Sequence, residues 1–186
     1  MSEWKVKLVQ KVYENRNFQI RKNICFHPVK NVEHDFFVID TFNWMNVVAI
    51  TPDDKFVLVK QHRLGSNEEM IEIPGGVIDL DEKPADSAVR ELAEETGYCG
   101  GTIVPLKKLW TNPAMMSNKI SFFLIDGCTR EQCQNLDPAE DIEVITATKD
   151  EVVEMLKNGE INHALSVTAL TLYFLSEHNR FGRIIF

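Results

Sequence analysis

A mixed α/β fold with a partly antiparallel sheet is what the 186-residue sequence predicts. Three patterns lead there. The first third alternates strand-like runs with turns and shows no helical period. Residues 44 to 63 have the form strand–turn–strand, a hairpin. Helical segments then appear among further strands, but not as the regular strand–helix–strand units of a doubly wound sheet.

The elements follow in order. "WKVKLVQKVYE", "FQIRKNICFH" and "HDFFVIDTF" are rich in β-branched and aromatic residues and are parted by the turn-like "ENRN" and "PVKN". Residues 1–43 therefore form a β-rich extension ahead of a core domain over 44–186. Such an all-strand extension has open edges, so it is expected to help form a homodimer. "WMNVVAI", the turn "TPDDK" and "FVLVKQHR" make the hairpin, and "MIEIP" is a short strand ended by Pro74. A helix starts near Pro84, where proline loses no hydrogen bond, and stops at Gly97. Its expected buried stripe is Ala85, Ala88, Val89, Leu92 and Thr96; Ser87, Arg90, Glu91, Glu94 and Glu95 fall on the other side. "GTIVPLKKLW", "KISFFLID" and "DIEVITAT" are strands. Thr148 and Glu151 form a capping box for the helix "KDEVVEMLKN", stopped by Gly159. Asn162 is placed to cap a last helix to about Glu177, and the apolar tail "RFGRIIF" is expected to pack.

Composition narrows the function. The chain is 44% hydrophobic and 26% charged, as in a soluble domain, with a formal charge of −8 that speaks against a nucleic-acid partner. Cys25, Cys99, Cys128 and Cys133 make no CxxC pair, so structural zinc is not expected; they read as reduced, mostly buried thiols of a cytoplasmic protein. The amino terminus has no apolar core of a secretory signal, and no apolar run is long enough to cross a membrane.

Glu91, Glu94 and Glu95 lie within about one helical turn, where like charges repel. One explanation is a solvated helix face partly neutralised by Arg90. The other is a cation site, since Glu91 and Glu95 stack one turn apart and oxygen ligands without His or Cys suit Mg2+ or Mn2+. Upstream, "EIPGG" places two glycines after a strand end, where bare backbone can approach a ligand. The spacing is Gly76, five residues, Glu82, seven residues, Arg90-Glu91, Leu92, one residue, Glu94-Glu95, one residue, Gly97, Tyr98.

The stretch Gly76 to Tyr98 resembles the Nudix box at every position of that pattern. The resemblance implies an α/β/α sandwich with a mixed sheet, and a hydrolase that cleaves a nucleoside diphosphate linked to another group. It implies metal ligation by Glu91, Glu95 and the Gly75 carbonyl, with Glu94 and Glu82 binding further metals or supporting these ligands and Arg90 orienting them. "VLVKQHRLGSNEEMIEIPGG" is similar to the ADP-ribose pyrophosphatase and nucleoside-diphosphate-sugar hydrolase branch, where a Gln-x-Arg strand precedes the turn. That likeness gives Arg63 a hold on substrate and implies a homodimer in which aromatics sandwich the base. Trp4 and Trp44 are candidates by residue type, with burial as the competing role. The general base is expected on a loop after the box. Several relatives carry it in the segment that here reads "TNPAMMSNK", but Ser117 and Asn118 stand there instead. Glu140 of "DPAEDIEV" is therefore the chosen base, with Asp141 and Glu143 as rivals. Mg2+, with Mn2+ as a substitute, is the expected cofactor. ADP-ribose or a nucleotide sugar such as GDP-mannose is the expected substrate. Dinucleoside polyphosphates, nucleoside triphosphates, capped RNA and a non-catalytic nucleotide-binding regulator remain the alternatives.

Overall fold

The structure, a computed structural model, describes residues 3–180. The chain divides into two compact units, one running to Asn43 and joined by Leu109–Ile120, the other comprising Trp44–Lys108 and the residues from Ser121 on.

The first unit is an antiparallel meander of β1 (Lys5–Glu14), β2 (Phe18–His27) and β3 (Val32–Thr41) in the order β1-β2-β3. Asn15 makes the first turn by accepting from the backbone N–H groups of Asn17 and Phe18. The segment "TNPAMMSNK" is structural: Asn118 is buried, accepts from the Thr111 hydroxyl and donates to the Phe42 carbonyl at 3.0 Å.

The second unit is built on β4 (Trp44–Ile50), β5 (Lys55–Arg63), β6 (Glu68–Glu72), β7 (Gly75–Val77), β9 (Thr102–Trp110), β10 (Lys119–Asp126) and β12 (Ile142–Thr148), with β8 (Tyr98–Cys99) and β11 (Thr129–Arg130) as a separate pair. The sheet runs β12-β5-β4-β10-β9. The expected 44–63 hairpin exists, but its strands pair only beside the turn, at Ala49↔Val57 and Ile50↔Phe56. Beyond that point it splays. β5 takes β6 from Val59 to Arg63, and β4 takes β7 from Trp44 to Asn46. A strand has two edges; β12 and β10 occupy the outer ones, so the segment from Glu72 to Gly75 enters the mouth of the opened hairpin. The two glycines placed after the strand end at Pro74 thus begin a short strand of their own.

Helices cover both faces of this sheet. The helix α1 (Pro84–Thr96) lays Ala88 and Leu92 on Met45, Val47, Ala49, Val57, Phe123 and Ile125. On β5 the alternate residue, Phe56, meets Tyr173 and Phe174 of α3 (Ala164–Leu175). Burial of both faces explains why "VVAI" and "FVLV" are unbroken apolar runs. The helix α2 (Lys149–Asn158) has the expected Thr148–Glu151 capping box. His163 rather than Asn162 holds the N-cap position of α3, with no side-chain cap hydrogen bond, and the helix ends at Leu175. Val89 is 46% exposed, not buried, whereas Ser87 and Glu95 are buried; the contact stripe is rotated toward the glycine turn, where each polar group finds a partner. Of the four free thiols, Cys25 and Cys128 are buried and Cys133 is exposed. The tail after Arg180 lies outside the described residues. Among those described, no helix is long and apolar enough to cross a membrane.

Candidate active site

The site grows from the meeting of the glycine turn with α1. The Pro74 carbonyl accepts from Val47 N–H at 2.8 Å and from Asn46 Nδ2 at 3.3 Å, which sets the turn against β4. A Cβ on Gly75 would lie 2.0 Å from Asn46 Nδ2 and 2.5 Å from the Met45 carbonyl; one on Gly76 would lie 2.5 Å from the Glu91 carboxyl. Gly75 presses its backbone against β4, where a side chain does not fit, whereas at Gly76 a Cβ would meet only the movable Glu91 carboxyl.

Arg90 stands among the acids. Its Nε and one terminal nitrogen donate to the two oxygens of Glu82 at 3.0 and 2.9 Å, and the other terminal nitrogen donates to Glu91 and Glu94, each at 2.9 Å. Glu82 also accepts from the Ser87 hydroxyl. Hydrogen bonds from Arg90 first, then Ser87, hold the Glu82 carboxyl at about 2. Glu82 first, then Glu94 and Glu91, raise the Arg90 guanidinium above its usual range against the opposing effect of burial.

Glu95 differs. It is 4% exposed, and its Oε2 accepts from the Gly75 N–H at 2.9 Å. Burial pushes it up to about 8, with the charges of Glu91 and Glu140 adding to the push. Burial raises Glu91 too, despite Arg90. Glu91 and Glu95, one helical turn apart and both disfavouring ionisation, with the Glu140 charge within electrostatic reach, form a donor set that a divalent cation stabilises. Arg90 engages Glu91 and the Gly75 N–H engages Glu95, and among the described residues no three His, Cys, Asp or Glu side chains converge as a finished cage.

Glu140 sits in a turn where its N–H donates to the Asp137 carbonyl at 2.9 Å and its Oε2 accepts from Asp137 N–H at 3.0 Å. Its charge acts on Glu91, Glu95 and Arg63. Asp141 and Glu143 are exposed, Glu143 on β12 opposite Lys60. Arg63 ends β5 and holds Glu72 with two hydrogen bonds of 2.7 and 2.8 Å. His163 Nδ1 lies 3.0 Å from Oε2 of this 1%-exposed carboxylate, the oxygen that also accepts from an Arg63 terminal nitrogen. Burial opposes the Glu72 charge, but Arg63 and His163 outweigh it and hold it at about 2. Trp44 is half-buried at the start of β4, across from Val77. Trp4, in the first unit, meets His27 and Phe36 edge-on. The Ser166 hydroxyl accepts from Ile73 N–H at 3.3 Å. Sequence reasoning missed His163 and Ser166 because that contact joins residues 93 apart; it missed Glu72 as a participant although the Glu-x-Pro turn displayed it.

The family description NUDIX domain matches residues 44–169. The chain belongs to the Nudix family. An ADP-ribose pyrophosphatase of Bacillus subtilis is similar at 30% identity over 132 residues, 70% of this chain and 71% of that protein. A GDP-mannose pyrophosphatase of Citrobacter koseri is 27% identical over 179 residues, 89% of this chain and 93% of that one. A crystal structure of an ADP compounds hydrolase shares the fold with a TM-score of 0.81 over 92% of both chains at 22% identity. This Nudix chain is thus a hydrolase of the pyrophosphatase type. In a Nudix hydrolase the residues brought together at this turn are Glu82, Arg90, Glu91, Glu94 and Glu95, with Glu140 within electrostatic reach.

Proposed function

We propose that the protein is a Mg2+-dependent pyrophosphohydrolase that splits ADP-ribose or a nucleoside-diphosphate sugar, GDP-mannose being one example, into a nucleoside monophosphate and a sugar phosphate. The observation that carries this reading is the burial of Glu95 against the glycine turn with Glu91 and Glu140 charged nearby. Buried carboxylates that gain only from a cation are of use where a diphosphate must also be bound.

In this reading Glu91, Glu95 and the Gly75 carbonyl hold Mg2+, for which Mn2+ can substitute, and Glu94 completes the acidic face. When bound, the metal neutralises diphosphate charge and acidifies water. Arg90 keeps the carboxylates separated and aimed. Glu140 takes a proton from the attacking water, whose oxygen bonds to phosphorus as the bridging P–O bond breaks and the leaving phosphate departs. Arg63, bent onto Glu72, presents its remaining N–H groups to phosphate or ribose, and Trp44 flanks the substrate. Apolar side chains exposed on the first unit, among them Val6, Val12, Tyr13 and Phe37, support a homodimer made through residues 1–43. The free thiols suit a reducing cytoplasm.

The test is phosphatase-coupled phosphate release from a panel of ADP-ribose, nucleotide sugars, dinucleoside polyphosphates and nucleoside triphosphates, with and without Mg2+. Metal-dependent product from the first two groups is expected, and E140Q should lower kcat by about 10²–10⁴-fold with folding intact. Product from the polyphosphates alone moves the substrate class, and no metal-dependent product from any compound makes the protein a nucleotide-binding module.

A further inference from the structure

The loop 131–141, between β11 and β12, contains no helix or strand. Such a segment is ordinarily the most mobile part of a domain, a poor seat for a group that must meet a water molecule within a fraction of an ångström. Here it is tied to the end of α1. The last carbonyls of a helix have no partner within it. Asn135 N–H donates to the Glu94 carbonyl at 2.9 Å, and the N–H groups of Glu131 and Gln132 donate to the Gly97 carbonyl at 3.0 and 3.3 Å. The Glu95 carbonyl is taken by a side chain, the Gln134 amide, at 2.7 Å. The same nitrogen donates to the Ile142 carbonyl at 2.9 Å.

Each end of that bridge has a meaning. Glu95 is the buried carboxylate at the glycine turn. Ile142 opens β12 and stands two residues after Glu140. One amide nitrogen therefore spans from the backbone of the acidic helix face to the foot of the segment carrying Glu140. The charge of Glu140 adds to the push on Glu91 and Glu95, so its carboxyl lies within electrostatic reach of both. The job needs two N–H groups aimed at two carbonyls; a carboxylate of the same shape offers only acceptors and would repel both.

We propose that Gln134 is a positioning residue for the hydrolytic step, its side-chain amide setting the distance between the Glu140 carboxylate and the Glu91–Glu95 face. This rests on Glu140 as the general base. Gln134 touches no substrate; it acts through Glu140. The backbone bonds of Glu131, Gln132 and Asn135 persist without it, so its loss loosens the loop rather than unfolding the domain.

A double-mutant cycle on the full chain tests it, with kcat, KM, Tm and Mn2+ affinity measured for wild type, Q134M, E140Q and Q134M/E140Q. Q134M keeps the length and removes the donors. It should lower kcat by about 10–100-fold, the scale of a misplacement of about 1 Å, while KM and Mn2+ affinity stay within threefold. The double variant should be no slower than E140Q alone, because a misplaced base and an absent base cost the same thing. Q134K, which restores N–H donors one bond further out on a flexible stem, should recover part of the rate and Q134E none; that pair gives the answer if Q134M is unstable. A Q134M rate within twofold of wild type overturns the proposal. So does a Q134M factor that multiplies the E140Q loss, or a parallel fall in Mn2+ affinity, which would place the effect on the helix instead. A wild-type rate for E140Q would fail differently: it removes Glu140 as base, and Gln134 loses its role with it.

Discussion

Arg90 explains how one helix tolerates Glu91, Glu94 and Glu95 within about a turn. Its donors reach Glu82, Glu91 and Glu94, turning repulsion on the outer side of the helix into attraction, while Glu95 is turned inward. Gly76 is a sharp test of that geometry. Its missing Cβ leaves room for the Glu91 carboxyl, a movable group at the end of a flexible side chain. Gly76→Ala should therefore leave Tm nearly unchanged but displace Glu91 and lower kcat by about tenfold or more; thermal melts and steady-state rates measured side by side check the split. Glu72 makes the pH prediction. Its carboxyl is held at about 2 against an ordinary 4.5, so its ionised form favours the folded state. That stabilisation is full above about pH 4.5 and fades as pH falls toward 2. Glu72→Gln should cost about 1–3 kcal/mol near neutrality, the worth of hydrogen bonds to a charged group. In urea titrations across pH, the gap between wild type and variant should close on acidification; a gap that widened toward acid would mean the carboxylate is not the stabilising form.

Among the elements, the splayed hairpin is the device on which the site depends. Had β4 and β5 paired along their length, the segment from Glu72 to Gly75 would have no edge to join, and Arg63, Glu72 and the glycine turn would not lie side by side. The end of α1 matters equally. Gly97 has φ of 75°, and a Cβ there would lie 2.2 Å from the Gln132 carbonyl. Gly97→Ala adds about 1–2 kcal/mol of left-handed strain and pushes the loop 131–141 off its carbonyl anchors. Tm should fall, and kcat should fall further than Tm alone explains, which activity assays well below the melting range will show. Local signals were legible at this scale: Pro84, Gly97 and the Thr148–Glu151 box mark their helix ends through contacts within a few residues. The short β7 was not, because its partners at 44–46 lie some thirty positions upstream. Val89 lay at the boundary of the apolar stripe, where the packing partner and not the period decides which side is covered.

For the molecule as a whole, stability and cation binding should be linked through the buried acids. A ligand that binds only the folded state adds about 2.7 kcal/mol at a hundred times its Kd. Saturating Mg2+ should raise Tm, and Glu95→Gln should abolish the increment without lowering the metal-free Tm, since a neutral amide needs no counter-charge in that buried position. Differential scanning fluorimetry with and without the ion reads this directly, and an equal Mg2+ increment in the variant would remove Glu95 from the ligand set. The spacing from Gly76 to Tyr98 and the strand-and-helix pattern around it specified, unaided, the family, the layered α/β architecture and the helix bearing the acids, because those depend on residue identity at short range. Folding in three dimensions settled which glutamate is buried, that Arg63 is bound to Glu72 and His163, and that Gln134 joins two carbonyls of separate segments. Each of those depends on the electrostatic cost of removing a charge or a hydrogen-bonding group from water, which has no value until the chain has placed its partners.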